Sequence, residues 1–357
     1  MKVIQIMPNF ELAGAEIMCE NLVYSLSRQG IDVVVVSMFD CHTAITDRME
    51  ASGVKIRYLN KKIGLDLSMI HKLRKVFKEE KPDVIHTHLY VMQYAIPAAI
   101  LAGVKRRVHT VHNVADKEAR KTARKLNRLF YKLCKVTPVA LSEIIQGTIE
   151  REYKLDSERI PVVLNGIDLG KCLVKVDYTV TDTFKILHVG RFSEQKNHCM
   201  LLEAFAQFHE KYPKSELQLI GGGELKEKCH KLAESLQIAD CTCFLGMQSN
   251  VYPYLQGADM FTLPSLYEGM PMTLIEAMGT ALPIVATSVG GVPDMLRNGH
   301  SALLTEVNVD ALAHAFENMY TDVELRKRLA KQAQIDSGLF SSDEMARRYI
   351  EIYSKER

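Results

Sequence analysis

Leu263-Pro-Ser-Leu-Tyr-Glu268-Gly-Met-Pro271-Met-Thr-Leu-Ile-Glu276-Ala-Met-Gly279 runs from the residues of a strand, through a loop, into the residues of a helix. Pro271 suits the first turn of that helix, where its missing N–H leaves no bond unmade. Glu276 then falls about one and a half turns inside the helix, and Glu268 lies in the preceding loop. The stretch predicts a strand-loop-helix unit with a carboxylate on either side of the helix start.

The two carboxylates and the helix start favour a ligand that has both phosphate and hydroxyl groups. The backbone amides of Met272 and Thr273 point from the helix start toward an anion. The carboxylates of Glu268 and Glu276 can each accept hydrogen bonds from two hydroxyls. A glycoside hydrolase also uses a carboxylate pair, as acid and base, but placement at a helix start favours hydroxyl binding. An ordinary helix entry with a solvated glutamate is the remaining interpretation.

The same unit recurs along the chain in two series. Short β-branched runs alternate with longer helical patterns from Val3 to about residue 168, and again from Phe184 to Thr287. This alternation predicts a parallel sheet covered by helices in each series. The expected fold class is α/β, with two Rossmann-like, doubly wound domains. We place the first domain at 1–168, a linker at 169–182, the second domain at 183–340, and a terminal helix that packs back on the first domain at 341–357.

Composition and charge narrow the function classes. The chain is 47% hydrophobic and 25% charged, which is typical of a soluble globular protein. It has no apolar run of the ~18–20 residues that a membrane span needs, and its start lacks a secretory signal, so a cytoplasmic location is expected. Residues 1–175 contain 28 Lys and Arg against 19 Asp and Glu, while residues 176–357 contain 17 against 24. The first half is therefore expected to meet something anionic.

Loops that follow strands are where a ligand is expected in open parallel sheets. Several of these loops have a glycine or an exposed backbone edge, at Gly14, Gly190, Gly222 and Met247. Such positions permit close approach of a nucleotide to the backbone. Tight turns or flexible connections would explain the same residues. Arg191 and Lys196 lie five positions apart across one loop, so both could converge on a diphosphate, although a pair of surface cations is the alternative.

The motifs together resemble glycosyltransferase family 4 along essentially the whole chain. The stretches that carry the resemblance are those around Glu268 and Arg191, with Ala13-Gly-Ala-Glu16, Val111-His112-Asn113, Leu164-Asn165-Gly-Ile-Asp168, Gly221-Gly-Gly-Glu224 and Val289-Gly-Gly-Val-Pro293. The resemblance implies the GT-B fold, in which a cleft separates two Rossmann-like domains. This chain departs from the family at one position, because many members have a double glycine where it has Ala13-Gly14.

Residue roles follow from the resemblance. It implies that Arg191 and Lys196 neutralise the donor diphosphate, that Glu276 binds the ribose, that Glu268 holds the transferred sugar, and that His112 contacts that sugar. Gly14 corresponds to the first-domain glycine of the family. Asn113 and Asn165 are the candidate acceptor-binding residues. The family needs no metal or other cofactor, and His86-Thr-His88, a possible metal pair, is more typical of hydrogen bonding to backbone or substrate.

One basic segment favours a membrane surface. Lys117–Lys135 contains eight Lys and Arg in a helical pattern, with an apolar stripe beside the cations. Basic amphipathic helices of this kind bind anionic membranes, so peripheral attachment at the inner face of the cell membrane is one interpretation. The other is a helix whose stripe packs on the core and whose cations lie in water. No nucleic acid partner is expected.

The expected function is transfer of a sugar from a nucleotide diphosphate sugar, with UDP favoured, to a glycan or lipid-linked acceptor in cell-surface polysaccharide synthesis. Retention of the anomeric configuration is implied by the resemblance. A nucleotide-sugar 2-epimerase of the same architecture and a non-catalytic nucleotide-sugar-binding module are the alternatives. A dehydrogenase is less consistent with the sequence, because neither half has the dinucleotide glycine fingerprint.

Overall fold

The computed structural model describes residues 1–11, 13–118, 121–180 and 182–355. The chain forms two compact units: Met1–Ile167 together with the residues from Phe340 onward, and Asp168–Leu339. Of the predicted segments, Leu12 in the first loop, Ala119 and Arg120 in the basic helix, Thr181 in the linker, and Glu356 and Arg357 in the terminal helix lie outside the described residues. Among the residues described, no helix combines the length and apolar character needed to cross a bilayer.

The first unit has a six-stranded parallel sheet with the order β3-β2-β1-β4-β5-β6. Its strands are β1 (Lys2–Met7), β2 (Asp32–Ser37), β3 (Lys55–Tyr58), β4 (Val84–His88), β5 (Arg106–Val111) and β6 (Val136–Ala140). Its first seven helices are α1 (Gly14–Arg28), α2 (Ala44–Ala51), α3 (Ser68–Glu80), α4 (Met92–Ala102), α5 (Ala115–Glu118), α6 (Lys121–Leu133) and α7 (Glu143–Tyr153). Helices α5 and α6 correspond to the predicted basic helix.

The second unit repeats this plan with the strand order β12-β11-β10-β7-β8-β9. Its strands are β7 (Phe184–Val189), β8 (Ser215–Ile220), β9 (Thr242–Gly246), β10 (Met260–Leu263), β11 (Ile284–Thr287) and β12 (Leu303–Thr305). Its helices are α8 (His198–Lys211), α9 (Lys226–Ser235), α10 (Tyr252–Gly257), α11 (Met272–Gly279), α12 (Val292–Met295), α13 (Val309–Thr321) and α14 (Val323–Asp336). The predicted pair of Rossmann-like units is confirmed.

The β-branched runs form these strands because both faces of each sheet are covered. Val34, Val35 and Val36 of β2 are all buried, as are Ile284 and Val285 of β11. A strand buried on both faces has no polar side to alternate with, which explains the continuous apolar runs in the sequence.

The last helix, α15 (Ser342–Ser354), belongs to the first unit and packs on α1. Ser341 caps it by accepting a hydrogen bond from the backbone N–H of Glu344 at 3.2 Å. The Ser25 hydroxyl donates to that of Ser342 at 2.9 Å, and Arg28 donates to Asp343 at 2.7 Å. These contacts bring the tyrosines of α15 under the sheet of the first unit.

The segment predicted as a linker is folded onto the second unit. The Tyr178 hydroxyl is buried and donates to the carbonyl of Ala281 at 3.0 Å, and Lys175 donates to the carbonyl of Ala258 at 2.8 Å. Residues 169–180 thus pack against the same unit as the sheet that they precede.

Candidate active site

Four loops of the second unit meet at one edge of its sheet. The strand order places β11, β10, β7 and β8 side by side, and all are parallel. Their carboxyl ends therefore share one rim, where the segments 190–196, 221–224, 265–271 and 288–291 follow them. Most of the predicted donor-binding residues of this unit lie in these loops or in α11, which begins directly after one of them.

A partly buried ion pair lies at the centre of this rim, with Glu268 buried and Lys196 partly exposed. Lys196 Nζ donates to Glu268 Oε1 at 2.5 Å, and the Ser265 hydroxyl donates to the same oxygen at 2.6 Å. Gln195 Nε2 donates to the carbonyl of Tyr267 at 2.9 Å and to Glu268 Oε2 at 3.4 Å. The predicted residues Lys196 and Glu268 are thus in direct contact. Sequence reasoning missed Ser265 and Gln195, whose only signal was their position beside the predicted pair.

The backbone of Glu268 is held by the loop after β11. Gly290 has φ +53°, and a Cβ added there would lie 1.9 Å from the carbonyl oxygen of Glu268. The N–H of Gly291 donates to that same oxygen at 3.2 Å. Only glycine fits at Gly290 without displacing Glu268, so the Val289–Pro293 stretch positions the carboxylate from behind.

Arg191 and Lys196 do not contact one common group. Arg191 is exposed and its Nε lies 3.7 Å from Glu224 Oε2, whereas Lys196 is paired with Glu268. The predicted convergence of the two cations is therefore not seen among the residues of the rim. An exposed pair at this distance is held weakly, which leaves the guanidinium able to turn toward an anion.

Glycines let the loops after β7 and β8 pack backbone against backbone. Gly221 has φ +147°, and an added Cβ would lie 2.0 Å from the carbonyl oxygen of Gly190. A Cβ on Gly190 would lie 2.8 Å from His188 Nε2, and one on Gly222 would lie 3.2 Å from Met247. Gly222 and Met247 are thus neighbours. Loop packing explains Gly190 and Gly221 directly.

Helix α11 presents polar groups at its start. Pro271 immediately precedes the helix, with φ −71° and ψ 119°, so the prediction that it sits in the first turn is wrong by one position. Its fixed φ suits the extended residue before a helix as well as the first helical residue. The buried Thr273 hydroxyl has no hydrogen-bond partner in the part of the chain described. Met272, also predicted to bind donor, is buried.

Glu276 is a buried carboxyl on α11. Burial raises its pKa to about 7, and the charge of Lys171 opposes that rise. A carboxyl with this pKa changes charge near neutral pH, and in its ionised form it is a strong acceptor for hydroxyl groups.

In the first unit, His112 ends a chain of hydrogen bonds. His112 Nε2 lies 3.0 Å from His88 Nδ1, His88 Nε2 lies 2.9 Å from Gln5 Oε1, and Gln5 Nε2 donates to the Tyr353 hydroxyl at 3.2 Å. Burial lowers the pKa of His112 to about 3 and that of His88 well below its usual range, so both rings are neutral. Gln5 and Tyr353 were not predicted as partners of His112.

Assigning the donor and the acceptor in each hydrogen bond determines the tautomer of His112. Gln5 Oε1 can only accept, so His88 Nε2 carries the proton and donates. The Nδ1 of neutral His88 must then accept, and the donor to it is His112 Nε2. The Nδ1 of His112 is thereby left as an acceptor.

His86 belongs to the same buried network. Its Nδ1 lies 2.7 Å from the Tyr353 hydroxyl and its Nε2 lies 2.7 Å from the Thr110 hydroxyl, which lies 2.7 Å from the Tyr349 hydroxyl. Both ring nitrogens of His86 are engaged, as are those of His88. Both rings therefore bond to other side chains, whereas the sequence predicted hydrogen bonds to backbone or substrate.

The other predicted residues of the first unit lie at a helix start or in loops. Gly14 is the first residue of α1, a helix whose N-cap makes no side-chain hydrogen bond. Asn113 follows β5, and its Oδ1 accepts from the N–H of Val114 at 2.8 Å. Asn165 is buried beside Gly166, where an added Cβ would lie 2.4 Å from the carbonyl oxygen of Ser341. These positions assign no acceptor role to Asn113 or Asn165, and their roles stay predictions.

Two family models together match most of the chain. The model described as "Glycosyltransferase Family 4" matches residues 12–171, and that described as "Glycosyl transferases group 1" matches residues 176–336. The UDP-Gal:alpha-D-GlcNAc-diphosphoundecaprenol alpha-1,3-galactosyltransferase of Escherichia coli is 28% identical over 78% of this chain and 76% of its own. The N-acetyl-alpha-D-glucosaminyl L-malate synthase of Bacillus anthracis is 27% identical over 81% and 78%.

Solved structures share the whole architecture. HepE from Anabaena, crystallised with UDP and glucose, superposes with a TM-score of 0.87 at 19% identity and covers 100% of both chains. Sucrose-phosphate synthase from Thermosynechococcus elongatus superposes with a TM-score of 0.81 at 18% identity, covering 99% of this chain and 98% of its own. At such identities the likeness establishes the fold, which is GT-B.

Proposed function

The chain belongs to glycosyltransferase family 4, and from this premise we propose that it transfers a sugar from a UDP-sugar to a hydroxyl of a glycan or lipid-linked acceptor, with the anomeric configuration retained. The observation that carries the proposal is the partly buried Lys196–Glu268 pair on the rim that also bears Thr273 and Glu276. UDP is favoured because the Escherichia coli relative is named for UDP-Gal and the Anabaena structure holds UDP.

The donor would lie along this rim. Lys196 has three N–H donors and gives one to Glu268, so the others are available to the diphosphate. Arg191 would add a second cation by leaving its weak pair with Glu224. The helix start of α11, with the free hydroxyl of Thr273, would bind a phosphate oxygen. Ionised Glu276 would accept the ribose hydroxyls. Gly14, Gly190, Gly222, Met247 and Met272 would supply backbone or close packing around the donor.

Glu268 would hold hydroxyls of the transferred sugar, and His112 would contact the same sugar. The Lys196 and Ser265 bonds both fall on Glu268 Oε1. Oε2 accepts a long bond from Gln195 at 3.4 Å, and its second lone pair would accept a sugar hydroxyl. The acceptor-capable Nδ1 of His112 suits a hydroxyl as well. Asn113 and Asn165 remain candidates for the acceptor.

The reaction would proceed on one face of the sugar. The bond from the anomeric carbon to the diphosphate oxygen breaks, the acceptor oxygen bonds to that carbon on the same face, and its proton passes to the leaving phosphate. Lys196 and Arg191 stabilise the charge that develops on the diphosphate. Because these cations would supply the positive charge that a divalent metal ion supplies in metal-dependent enzymes, we expect transfer to continue in the presence of a chelator.

A lipid-linked acceptor would place the enzyme in the cytoplasm at the inner face of the membrane. The Escherichia coli relative and one from Campylobacter jejuni are named for diphosphoundecaprenol-linked acceptors. Helix α6 could make the contact, because Leu129 and Leu133 are exposed among its cations. Phe130 of the predicted apolar stripe is instead buried in the core.

The proposal is tested first on the donor. Thermal shift with UDP, GDP and ADP sugars is expected to show stabilisation by a UDP-sugar, and indifference to all three would contradict the donor site.

Glu268→Gln and Lys196→Ala should abolish transfer, while Lys211→Ala, which removes an exposed ion pair with Glu317, should leave it unchanged. Mass analysis of products with and without acceptor separates transfer from epimerisation. Donor binding without turnover in any acceptor screen would indicate the binding module.

A further inference from the structure

The loop between β3 and α3 exposes three aliphatic side chains in a five-residue run. The exposed fractions are 97% for Ile63, 73% for Leu65 and 66% for Leu67. Single exposed aliphatic residues are common on soluble proteins, whereas clustered ones mark interaction surfaces. The donor site does not use this loop.

Local hydrogen bonds hold the loop in this shape. Lys61 is buried, and its Nζ donates to the carbonyls of Lys62 at 2.8 Å and Gly64 at 2.5 Å. The Asp66 carboxylate accepts from the N–H of Lys62 at 3.0 Å and from the hydroxyl of Ser68 at 2.5 Å. The aliphatic side chains are therefore presented by a turn that hydrogen bonds of Lys61 and Asp66 hold in place.

The helix that follows is cationic. His71, Arg74, Lys75 and Lys78 of α3 line an open cavity of about 310 Å³ together with Glu79. The carboxylate of Glu79 is already paired with Arg57 at 2.5 Å. The exposed cation of Lys62 immediately precedes the aliphatic run. An aliphatic tip beside a cationic helix matches the chemistry of an anionic bilayer, which offers acyl chains beneath negative headgroups.

We propose that the loop Lys61–Leu67 and helix α3, here called the loop-α3 surface, bind the anionic bilayer. Ile63, Leu65 and Leu67 enter the acyl region while the cations of α3 contact lipid phosphates. This surface is separate from α6, and it binds membrane whether or not the proposed sugar transfer is correct.

The test is co-sedimentation of the full chain with vesicles of phosphatidylcholine, with and without phosphatidylglycerol. The unmodified protein should bind the anionic vesicles and not the neutral ones. The triple variant Ile63→Ser, Leu65→Ser, Leu67→Ser should bind at least roughly tenfold more weakly, and Lys75→Glu with Lys78→Glu should also lose binding.

The matched control is Ile335→Ser with Leu339→Ser, which removes aliphatic side chains that are 67% and 68% exposed in the second unit. That variant should bind vesicles like the unmodified protein. Thermal stabilisation by UDP-sugar in every variant reports separately on the donor site. Undiminished binding of the triple variant, absence of binding by the unmodified protein, or loss of binding only when Leu129 and Leu133 of α6 are replaced by Ser would each overturn the proposal.

Discussion

Lys196 Nζ lies 2.5 Å from Glu268 Oε1, and both side chains are largely withdrawn from water. The pair joins the loop after β7 to the loop after β10, so one interaction fixes the position of two groups of the proposed donor site. Burying two charges is costly unless each compensates the other. Removal of either partner should therefore be felt in folding as well as in binding.

Lys196→Ala should lower the free energy of unfolding by about 3 kcal/mol, because it leaves the carboxylate of Glu268 buried without its cation. Arg191→Ala should change it by less than about 1 kcal/mol, because the pair with Glu224 is exposed. Both variants should bind UDP-sugar more weakly. Urea denaturation and isothermal titration calorimetry measure the two effects, and equal losses of stability in the two variants would contradict this difference.

Glu276→Gln should stabilise the protein at alkaline pH while weakening donor binding. The pKa of Glu276 is raised by burial from 4.5 to about 7, so the folded protein holds this proton more tightly than the unfolded chain. Ionisation therefore costs stability, beginning as pH rises above about 4.5 and complete above about 7. The variant escapes a cost of about 3 kcal/mol above pH 7 and gains nothing below pH 4.5.

The measurement is urea denaturation of the unmodified protein and Glu276→Gln across this pH range. Other carboxyls, such as Glu16, also have a raised pKa, so the difference between the two proteins isolates Glu276. Affinity for UDP should fall roughly tenfold in the variant, since an ionised acceptor of the ribose is lost. A stability difference that does not vary with pH would refute the titration of Glu276.

Gly290→Ala should destabilise the protein by more than about 2 kcal/mol and weaken donor binding. The new Cβ would lie 1.9 Å from the carbonyl oxygen of Glu268, and the φ of +53° is unfavourable for alanine. Gly257→Ala is the control, because a Cβ there meets no atom within 4 Å and the residue ends a helix. Melting temperature and UDP affinity check the prediction. A Gly290→Ala protein that matches the control would exclude this loop as the support of Glu268.

The strand-loop-helix pattern predicted both sheets and the shared edge at which the candidate donor-binding loops lie, because carboxyl ends of parallel strands meet at one edge. It could not predict that Lys196 touches Glu268. That contact requires β7 and β10 to be neighbours, although β8 and β9 separate them in sequence. Likewise, Arg191 and Lys196 are close in sequence, yet the turn between them directs their side chains to different carboxylates.

The residues that the terminal helix contacts could not be predicted from the sequence either. Tyr349 and Tyr353 lie four positions apart on a terminal helix, a spacing that predicts one shared face. Nothing in that spacing predicts what the face meets. The structure places it against His86, Thr110 and Gln5, which come from three neighbouring strands.

The series of hydrogen bonds that begins at Tyr353 predicts which ring nitrogen of His112 carries the proton, although the two residues are far apart in the sequence. Gln5 Nε2 donates to Tyr353, so Gln5 Oε1 faces His88 and forces its proton onto Nε2. His112 must then donate through Nε2 and keep Nδ1 free of a proton. Nitrogen-15 NMR of histidine-labelled protein should show this tautomer, with the signal assigned by its loss in His112→Gln.

Tyr353→Phe should shift that signal, because the amide of Gln5 loses the acceptor that sets its orientation and can turn its N–H toward His88. His88 then carries its proton on Nδ1 and donates to His112, whose own proton moves to Nδ1. Tyr349→Phe is the matched control: it removes a hydroxyl from the same helix but leaves Gln5 and Tyr353 in place, so the His112 signal should not move. A proton on Nδ1 of His112 in the unmodified protein, or an unchanged signal in Tyr353→Phe, would show that the terminal helix does not set the state of this histidine.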